Sequence, residues 1–159
     1  MRLNIAPRGV IQIDEARIVS AYRNFSGIGS KFNREGDRNF SIAIDDQEIA
    51  DVLISQGWNV KIKAPREDGD APFMYLSVKV KFNDNGPYVY LVSNGRKVLL
   101  DESTISCLDQ VNIDYANLDI RPYDWEANGK SGRAAYLHAM EVYQRIDDRF
   151  APSAEETRW

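Results

Sequence analysis

Alternating residues between Phe73 and Phe82 place an aromatic ring and two cations on one side of a predicted strand. Successive side chains of a strand point to opposite faces. Tyr75, Lys79 and Lys81 therefore share the face opposite an unbroken apolar row. An aromatic ring can stack on a nucleobase, and an ammonium group can contact a phosphate. The pattern favours a ligand that carries both groups, such as a single-stranded nucleic acid.

The same residue types recur in two further places. Six of them surround a predicted glycine-rich loop: Tyr22, Arg23, Lys31, Phe32, Arg34 and Arg38. Tyr88 and Tyr90 share one face of the next predicted strand. Taken singly, each ring is explained by packing on a pleated surface, and each cation by solvation. Their combination on one small domain favours base stacking, at about 1–3 kcal/mol per stacked base, together with phosphate contacts.

Residues that could catalyse a reaction are few and poorly grouped. His138 lies on a predicted strand without a partner, and Cys107 lies on an apolar helix face, as expected for a small core residue. A set of carboxylates could hold Mg²⁺ in a nuclease: Asp114, Asp119, Asp124 and Glu126. Their spacing scatters them over both faces of a strand, so a solvated acidic edge explains them better. We expect no enzymatic activity, no metal site and no cofactor.

Hydrophobic periodicity and turn signals predict the elements that position these residues. After a loose lead-in at 1–11, strands are predicted at 12–25, 38–45, 58–63, 73–82, 88–93, 97–100, 118–126 and 133–145, the last of which could also be helical. Helical spacing behind capping aspartates predicts short helices at 46–56 and 101–108. The strand at 88–93 should return beside 73–82 as a hairpin. We therefore expect a mainly β, antiparallel barrel with two short helices over residues 1–150, and a flexible tail at 151–159.

Composition limits the class of protein without deciding its ligand. The 159 residues, 43% hydrophobic and 28% charged, suit one globular domain. A single cysteine suits a reducing cytosol, and we see neither a signal peptide nor a membrane-spanning run. The net charge of −4 disfavours nucleic acid, but the charge is uneven. Residues 17–40 hold five basic and two acidic side chains, whereas 101–126 hold one basic and seven acidic.

Several stretches of the chain resemble a known family. Residues 120–137, IRPYDWEANGKSGRAAYL, resemble the closing hairpin of OB-fold single-stranded DNA-binding proteins, in which a strand carrying a Trp meets an Asn-Gly-Lys turn. The stretches at 22–27 (YRNFSG) and 31–42 (KFNREGDRNFSI) are similar to small phage and prophage proteins assigned to single-stranded DNA binding. The likeness continues through 57–61, 98–102 and 120–126, so it covers most of the chain.

The resemblance implies an OB-like barrel that binds single-stranded DNA without sequence preference during phage replication or recombination. The stacking residues would be Tyr22, Phe32, Tyr75, Tyr88, Tyr90 and Trp125. The phosphate contacts would come from Arg23, Lys31, Arg34, Arg38, Lys61, Lys79, Lys81, Lys130 and Arg133. It also implies a cytoplasmic protein that could form homo-oligomers and recruit replication or recombination proteins through its tail.

Two other functions stay open at this point. The acidic surface would also suit a phage module that inhibits or recruits a host protein. The carboxylates around Asp119 would suit a Mg²⁺-dependent nuclease.

Overall fold

The computed structural model describes residues 1–145, which form one helix and a sheet of nine strands. The strands are β1 (Arg2–Ile5), β2 (Ile11–Ile18), β3 (Arg38–Ala43), β4 (Val60–Lys63), β5 (Phe73–Val80), β6 (Tyr88–Ser93), β7 (Arg96–Leu100), β8 (Ile113–Ala127) and β9 (Lys130–Gln144). Helix α1 (Gln47–Ser55) lies between β3 and β4 in the chain, and short 3₁₀ turns occupy Pro7–Gly9, Ser20–Tyr22 and Ile105–Asp109. No helix within the described range is long and apolar enough to cross a membrane.

Five of the strands are hydrogen-bonded in a ring. β2 pairs with β3, β3 with β5, β5 with β9, β9 with β8, and β8 again with β2. Four of these pairings are antiparallel and the β5–β9 pairing is parallel. The ring confirms the prediction of a mainly β, OB-like fold. The hairpin of β6 and β7 extends the sheet from β9, where β6 also runs parallel to its neighbour.

The core lies inside this ring because every ring strand turns alternate apolar residues inward. Phe25 and Phe40 stack at its centre, with 5.0 Å between their ring centroids. Helix α1 contributes Ala50 and Leu53 to the same core, and Asp46 caps it by accepting from the amides of Glu48 and Ile49. Between these inward residues, most side chains of the ring strands lie on the outer surface, where a ligand can reach them; on β3, however, Ser41 and Ala43 are buried as well.

The predicted hairpin between 73–82 and 88–93 is wrong. β6 pairs with β7 and β9 instead, with Tyr88 opposite Ala139. Both edges of β5 are already occupied: β3 lies along one edge, while β4 and β9 share the other. No edge of β5 is left for β6, so the turn after β5 sends the chain to the next free edge, that of β9.

Some predicted elements differ from those observed, one ambiguous segment is settled, and one predicted helix is present. The strand predicted at 12–25 ends at Ile18, and the strand predicted at 118–126 begins earlier, at Ile113. Residues 2–5, predicted as part of a lead-in, form β1 and pair with β2. The predicted helix at 101–108 is a turn followed by a 3₁₀ turn, with Asp101 accepting from the amides of Ser103 and Thr104. The segment at 133–145 is a strand, and the helix predicted at 46–56 is present as α1. The predicted domain end at 150 and the tail at 151–159 lie outside the described residues.

Candidate nucleic-acid interface

The outer face of β5 carries the row of residues that the sequence pattern predicted. Met74, Leu76, Val78 and Val80 are buried, so Phe73, Tyr75, Ser77 and Lys79 point outward. We call this row the β5 face. The period-2 alternation that identified it is therefore confirmed.

Aromatic rings gather at one end of the β5 face. The 3₁₀ turn after β2 brings Tyr22 against Tyr75, with 5.1 Å between ring centroids, and Phe73 stacks on Tyr75 with 5.5 Å between centroids. Lys61 lies opposite Tyr75 on β4, and its ammonium is 5.9 Å from the Tyr75 centroid. The structure thus brings together three predicted site residues from three separate segments.

A cleft of about 580 Å³ opens between β5 and the first residues of β9, and we call it the β5–β9 cleft. Lys61, Lys79 and Arg133 line it, while Trp58 and Trp125 supply rings. Within the described part of the chain, the residues that line this cleft include no aspartate or glutamate. A protein with a net charge of −4 therefore presents a cavity lined, among residues 1–145, by three cations and no carboxylate.

Arg133 is held in place from several sides. Its Nε and Nη2 donate to the carboxylate of Asp124 at 2.7 and 3.2 Å, and its Nη1 donates to the carbonyl oxygen of Gln56 at 2.7 Å. Its guanidinium carbon is 5.5 Å from the ring centroid of Trp58. The hydrogen bond from Arg133 holds the pKa of Asp124 below its usual range. The guanidinium is fixed at the cleft wall, and its charge is partly balanced by this carboxylate.

The hairpin of β8 and β9 places Trp125 at the mouth of the cleft. Asn128 and Gly129 form its two-residue turn with φ values of 53° and 76°, as the Asn-Gly signal predicted, and Lys130 is exposed beside it. The Trp125 ring covers Gly132 on the facing strand, where a Cβ atom would lie 2.7 Å from Trp125 Cζ2. Glycine at 132 is what lets the ring lie flat against the backbone, with 41% of Trp125 still exposed.

The loop between β2 and β3, which we call the 24–37 loop, presents Phe32 to solvent. Phe32 is 92% exposed, and the ammonium of Lys31 is 5.8 Å from its ring centroid. The Asn33 side-chain amide donates to the carbonyls of Ile28, Arg34 and Asp37, so the loop is ordered by its own hydrogen bonds. Arg34 is exposed and makes an ion pair with Asp37 at 3.6 Å.

The 24–37 loop stands beside the cleft end of the β5 face. Asn39 on β3 donates to the side-chain oxygen of Asn33 at 2.9 Å and lies opposite Lys79 on β5. The loop is therefore anchored one strand away from a cation of the cleft.

Two predicted arginines are bound to the protein itself. Arg23 donates to the carbonyl oxygens of Leu108 at 3.0 Å and Val111 at 2.7 Å, so it ties the loop region to the segment after β7. Arg38 makes an ion pair with Glu102 at 3.4 Å. Both guanidinium groups have structural partners that sequence spacing could not reveal, because those partners lie more than 60 residues away.

Three further predicted residues lie apart from the cleft. Tyr88 and Tyr90 are on β6, where the Tyr88 ring is 6.3 Å from the His138 ring and the Tyr90 ring is 4.3 Å from the Lys97 ammonium. Lys81 follows β5 and lines a different cavity.

Sequence reasoning missed several residues of the cleft. Trp58 and Gly132 belong to its wall, and the Tyr136 ring lies 5.8 Å from the Lys79 ammonium because these residues pair across β5 and β9. The β5–β9 pairing joins strands that are distant in the chain and parallel. No local pattern could have pointed to it.

The carboxylates considered for a nuclease do not converge. Among residues 1–145, no group of three or more His, Cys, Asp or Glu side chains could hold a metal ion. Asp124 is paired with Arg133, and Asp114 lies 3.4 Å from Arg145. Burial raises the pKa of the Cys107 thiol and, on β8, that of the Asp119 carboxyl.

Comparison with known proteins identifies the family. Residues 3–155 match the family model described as "Putative phage ssDNA-binding domain". The chain belongs to this family. The match confirms the family resemblance seen in the sequence, and no curated protein matches the chain.

Solved structures of similar fold come from bacteriophage Enc34. Its single-stranded DNA-binding protein with a C-terminal truncation is 13% identical, with a TM-score of 0.58 and 90% of each chain covered. The structure of that phage's protein in complex with ssDNA is 14% identical, with a TM-score of 0.56, covering 92% of this chain and 91% of that one. The structure titled without truncation or DNA is 11% identical, with a TM-score of 0.58 and full coverage of both chains. At these identities the likeness shows that the family member described here has the same OB-like fold.

Proposed function

We propose that this domain binds single-stranded DNA without sequence preference, with the strand crossing the β5 face and the β5–β9 cleft. The observation that carries the proposal is the cleft itself, which the described residues line with three cations, aromatic rings and no carboxylate. The Enc34 protein of the same fold was solved in complex with ssDNA, which supports the proposal.

The position of the cleft agrees with how OB folds bind their ligands. Oligonucleotides bind on strands 2 and 3 of an OB fold, flanked by the loops between strands 1 and 2 and between strands 4 and 5. Taken in chain order, the ring strands place β3 and β5 second and third. The 24–37 loop and the β8–β9 hairpin are then the two flanking loops.

Base stacking would use rings that are partly open to solvent. Tyr75 with Tyr22 offers one platform, Trp125 a second and Phe32 a third. Because Phe32 is 92% exposed, the protein lacks the stabilisation of about 1.5–3 kcal/mol that burial of this side chain would give. A base stacked on the ring would bury it and supply that stabilisation in the complex. In a duplex the bases are already stacked on one another, so these rings favour a single strand.

Phosphate contacts would come from the cleft cations Lys61, Lys79 and Arg133, with Lys31, Arg34 and Lys130 on the flanking loops. Such contacts read charge and not base identity, so the binding would tolerate any sequence. The proposal does not use Arg23 and Arg38, which are bound to backbone carbonyls and to Glu102 and do not line the cleft. Arg133 and Arg34 also have carboxylate partners, but Arg133 lines the cleft and Arg34 is exposed on the flanking loop.

The biological role follows from the family and from this chemistry. We place the domain on single-stranded DNA during phage replication or recombination in the host cytoplasm, acting by binding and not by catalysis. Self-association and recruitment of replication proteins by residues 151–159 are further parts of the proposal.

Fluorescence anisotropy of a labelled oligo-dT tests the proposal, at about 50 and 200 mM salt. We expect saturable binding that weakens with salt and is tighter than binding to a duplex of equal length. Absence of binding at the lower salt would overturn the proposal, and equal affinity for duplex would show that the rings are not stacking platforms.

A further inference from the structure

A second cleft, of about 420 Å³, is lined in part by residues 136–138 of β9, which directly follow the residues of β9 that line the β5–β9 cleft. Its lining includes Lys81, Arg121, Tyr123, Tyr136 and His138. We propose that this second cleft is a further subsite for the same DNA strand, which passes over Tyr136 from one cleft into the other. The inference rests on the proposed function. It adds the path that the DNA strand takes beyond the first cleft, and therefore a longer binding site.

The second cleft has the same chemistry as the first. Among residues 1–145, those that line it include two cations and no aspartate or glutamate. Neither Lys81 nor Arg121 has a carboxylate of the described residues within 4 Å; the polar side-chain contact of Arg121 is with His138 Nε2, at 3.4 Å. Both cations can therefore contact a phosphate without first breaking an ion pair to one of these carboxylates.

The second cleft also offers rings to bases. Tyr123 is 59% exposed and forms a T-shaped pair with Tyr136, with 5.8 Å between centroids and 71° between planes. The outer wall is the turn after β5, closed by the hydrogen bond of 2.8 Å from the Asn83 amide to the Gly86 carbonyl. A preformed wall lowers the ordering cost of binding.

The two clefts are close enough for one strand to occupy both. Ala134 lines the first cleft and Tyr136 the second, two residues further along β9. Two residues of a strand span about 6.6 Å, about twice the 3.4 Å that separates successive charges along one strand of a DNA duplex. Lys79, which lines the first cleft, lies over the Tyr136 ring and can hold the intervening phosphate.

The test measures how affinity depends on the length of oligo-dT, from about 4 to 16 nucleotides, which spans the site sizes of OB folds. The variant Arg121→Ala/Tyr123→Ala removes a cation and a ring whose side chains are exposed, so the fold should be kept. Arg121→Lys/Tyr123→Phe is the matched control, since it keeps the charge and the ring.

We expect the alanine variant to bind the shortest oligomers as the wild type does. For longer oligomers it should bind about 5- to 150-fold more weakly, the range for one lost stacking contact. The control should stay close to the wild type at every length. If the alanine variant matches the wild type at every length while short oligomers still bind, the second subsite is refuted and the proposed function stands. If the wild type binds no oligomer, both fail.

Discussion

Removal of two cleft cations should change the salt dependence of DNA binding by a calculable amount. Each phosphate contact on a single strand adds about 0.7 to the slope of log affinity against log salt. Lys61 and Lys79 both line the β5–β9 cleft, so Lys61→Ala/Lys79→Ala should lower that slope by about 1.4. Over a fourfold rise in salt, the ratio of wild-type to variant affinity should then shrink by about sevenfold. Contacts made by other residues cancel in this ratio.

The assay is an anisotropy titration of labelled oligo-dT at several salt concentrations for both proteins. Arg2→Ala/Arg8→Ala removes the same charge from β1 and the turn after it, outside the lining of the cleft, and should leave the slope unchanged. An unchanged slope in Lys61→Ala/Lys79→Ala would refute the reasoning. So would an equal change in the control, because global charge and not the cleft would then be responsible.

Four further predictions address single positions. Gly132→Ala should weaken oligo-dT binding almost as much as Trp125→Ala, by about 1–3 kcal/mol, because a Cβ atom at position 132 would displace the Trp125 ring. If the losses of the two single variants add up in Gly132→Ala/Trp125→Ala, the two changes act independently and this reasoning is wrong. Phe32→Ala should weaken binding by a similar amount without lowering the melting temperature, because the ring is 92% exposed. Arg23→Ala should destabilise the fold by about 1.5–3 kcal/mol in denaturant titrations, by orphaning two carbonyls, with DNA affinity unchanged. Asp124 has a lowered pKa, so its ion pair stabilises the fold above the unfolded pKa of about 3.9, and that stabilisation is lost as pH falls through the folded value. The stability difference between wild type and Asp124→Asn should therefore be constant near neutral pH and close as the medium becomes acid; a difference that does not change with pH would contradict this.

The features that the sequence predicted well are those decided by local physics. The β5 face follows from strict alternation, α1 from a capping aspartate before helical spacing, and the β8–β9 turn from Asn128-Gly129. Each of these rests on residues a few positions apart. The stacking and phosphate chemistry was visible for the same reason, since rings and cations alternate along one strand.

The features that the sequence could not show depend on which strands meet. β6 was expected beside β5 but lies beside β9, and the cleft exists because β5 and β9 meet in parallel. The role of Arg23 depends on carbonyls 85 and 88 residues further on. Which distant segments come into contact depends on the packing of the whole core and on the entropy cost of closing the loops between them. Such contacts leave no periodic pattern in a short stretch of sequence.

The acidic net charge and the proposed ligand are compatible because electrostatic interactions are local in salt. At physiological ionic strength the Debye length is about 8 Å, so a phosphate in the cleft interacts strongly with the cations around it and weakly with distant carboxylates. The carboxylate of Glu141 is also paired with Lys97 at 2.9 Å, and Asp124, which lies beside the cleft, is paired with the cleft cation Arg133 at 2.7 Å. An acidic surface elsewhere leaves the clefts as the favourable path for a polyanion. In this family member, net charge therefore bears on solubility and nonspecific attraction, and the proposed path of the DNA strand depends on the lining of the clefts.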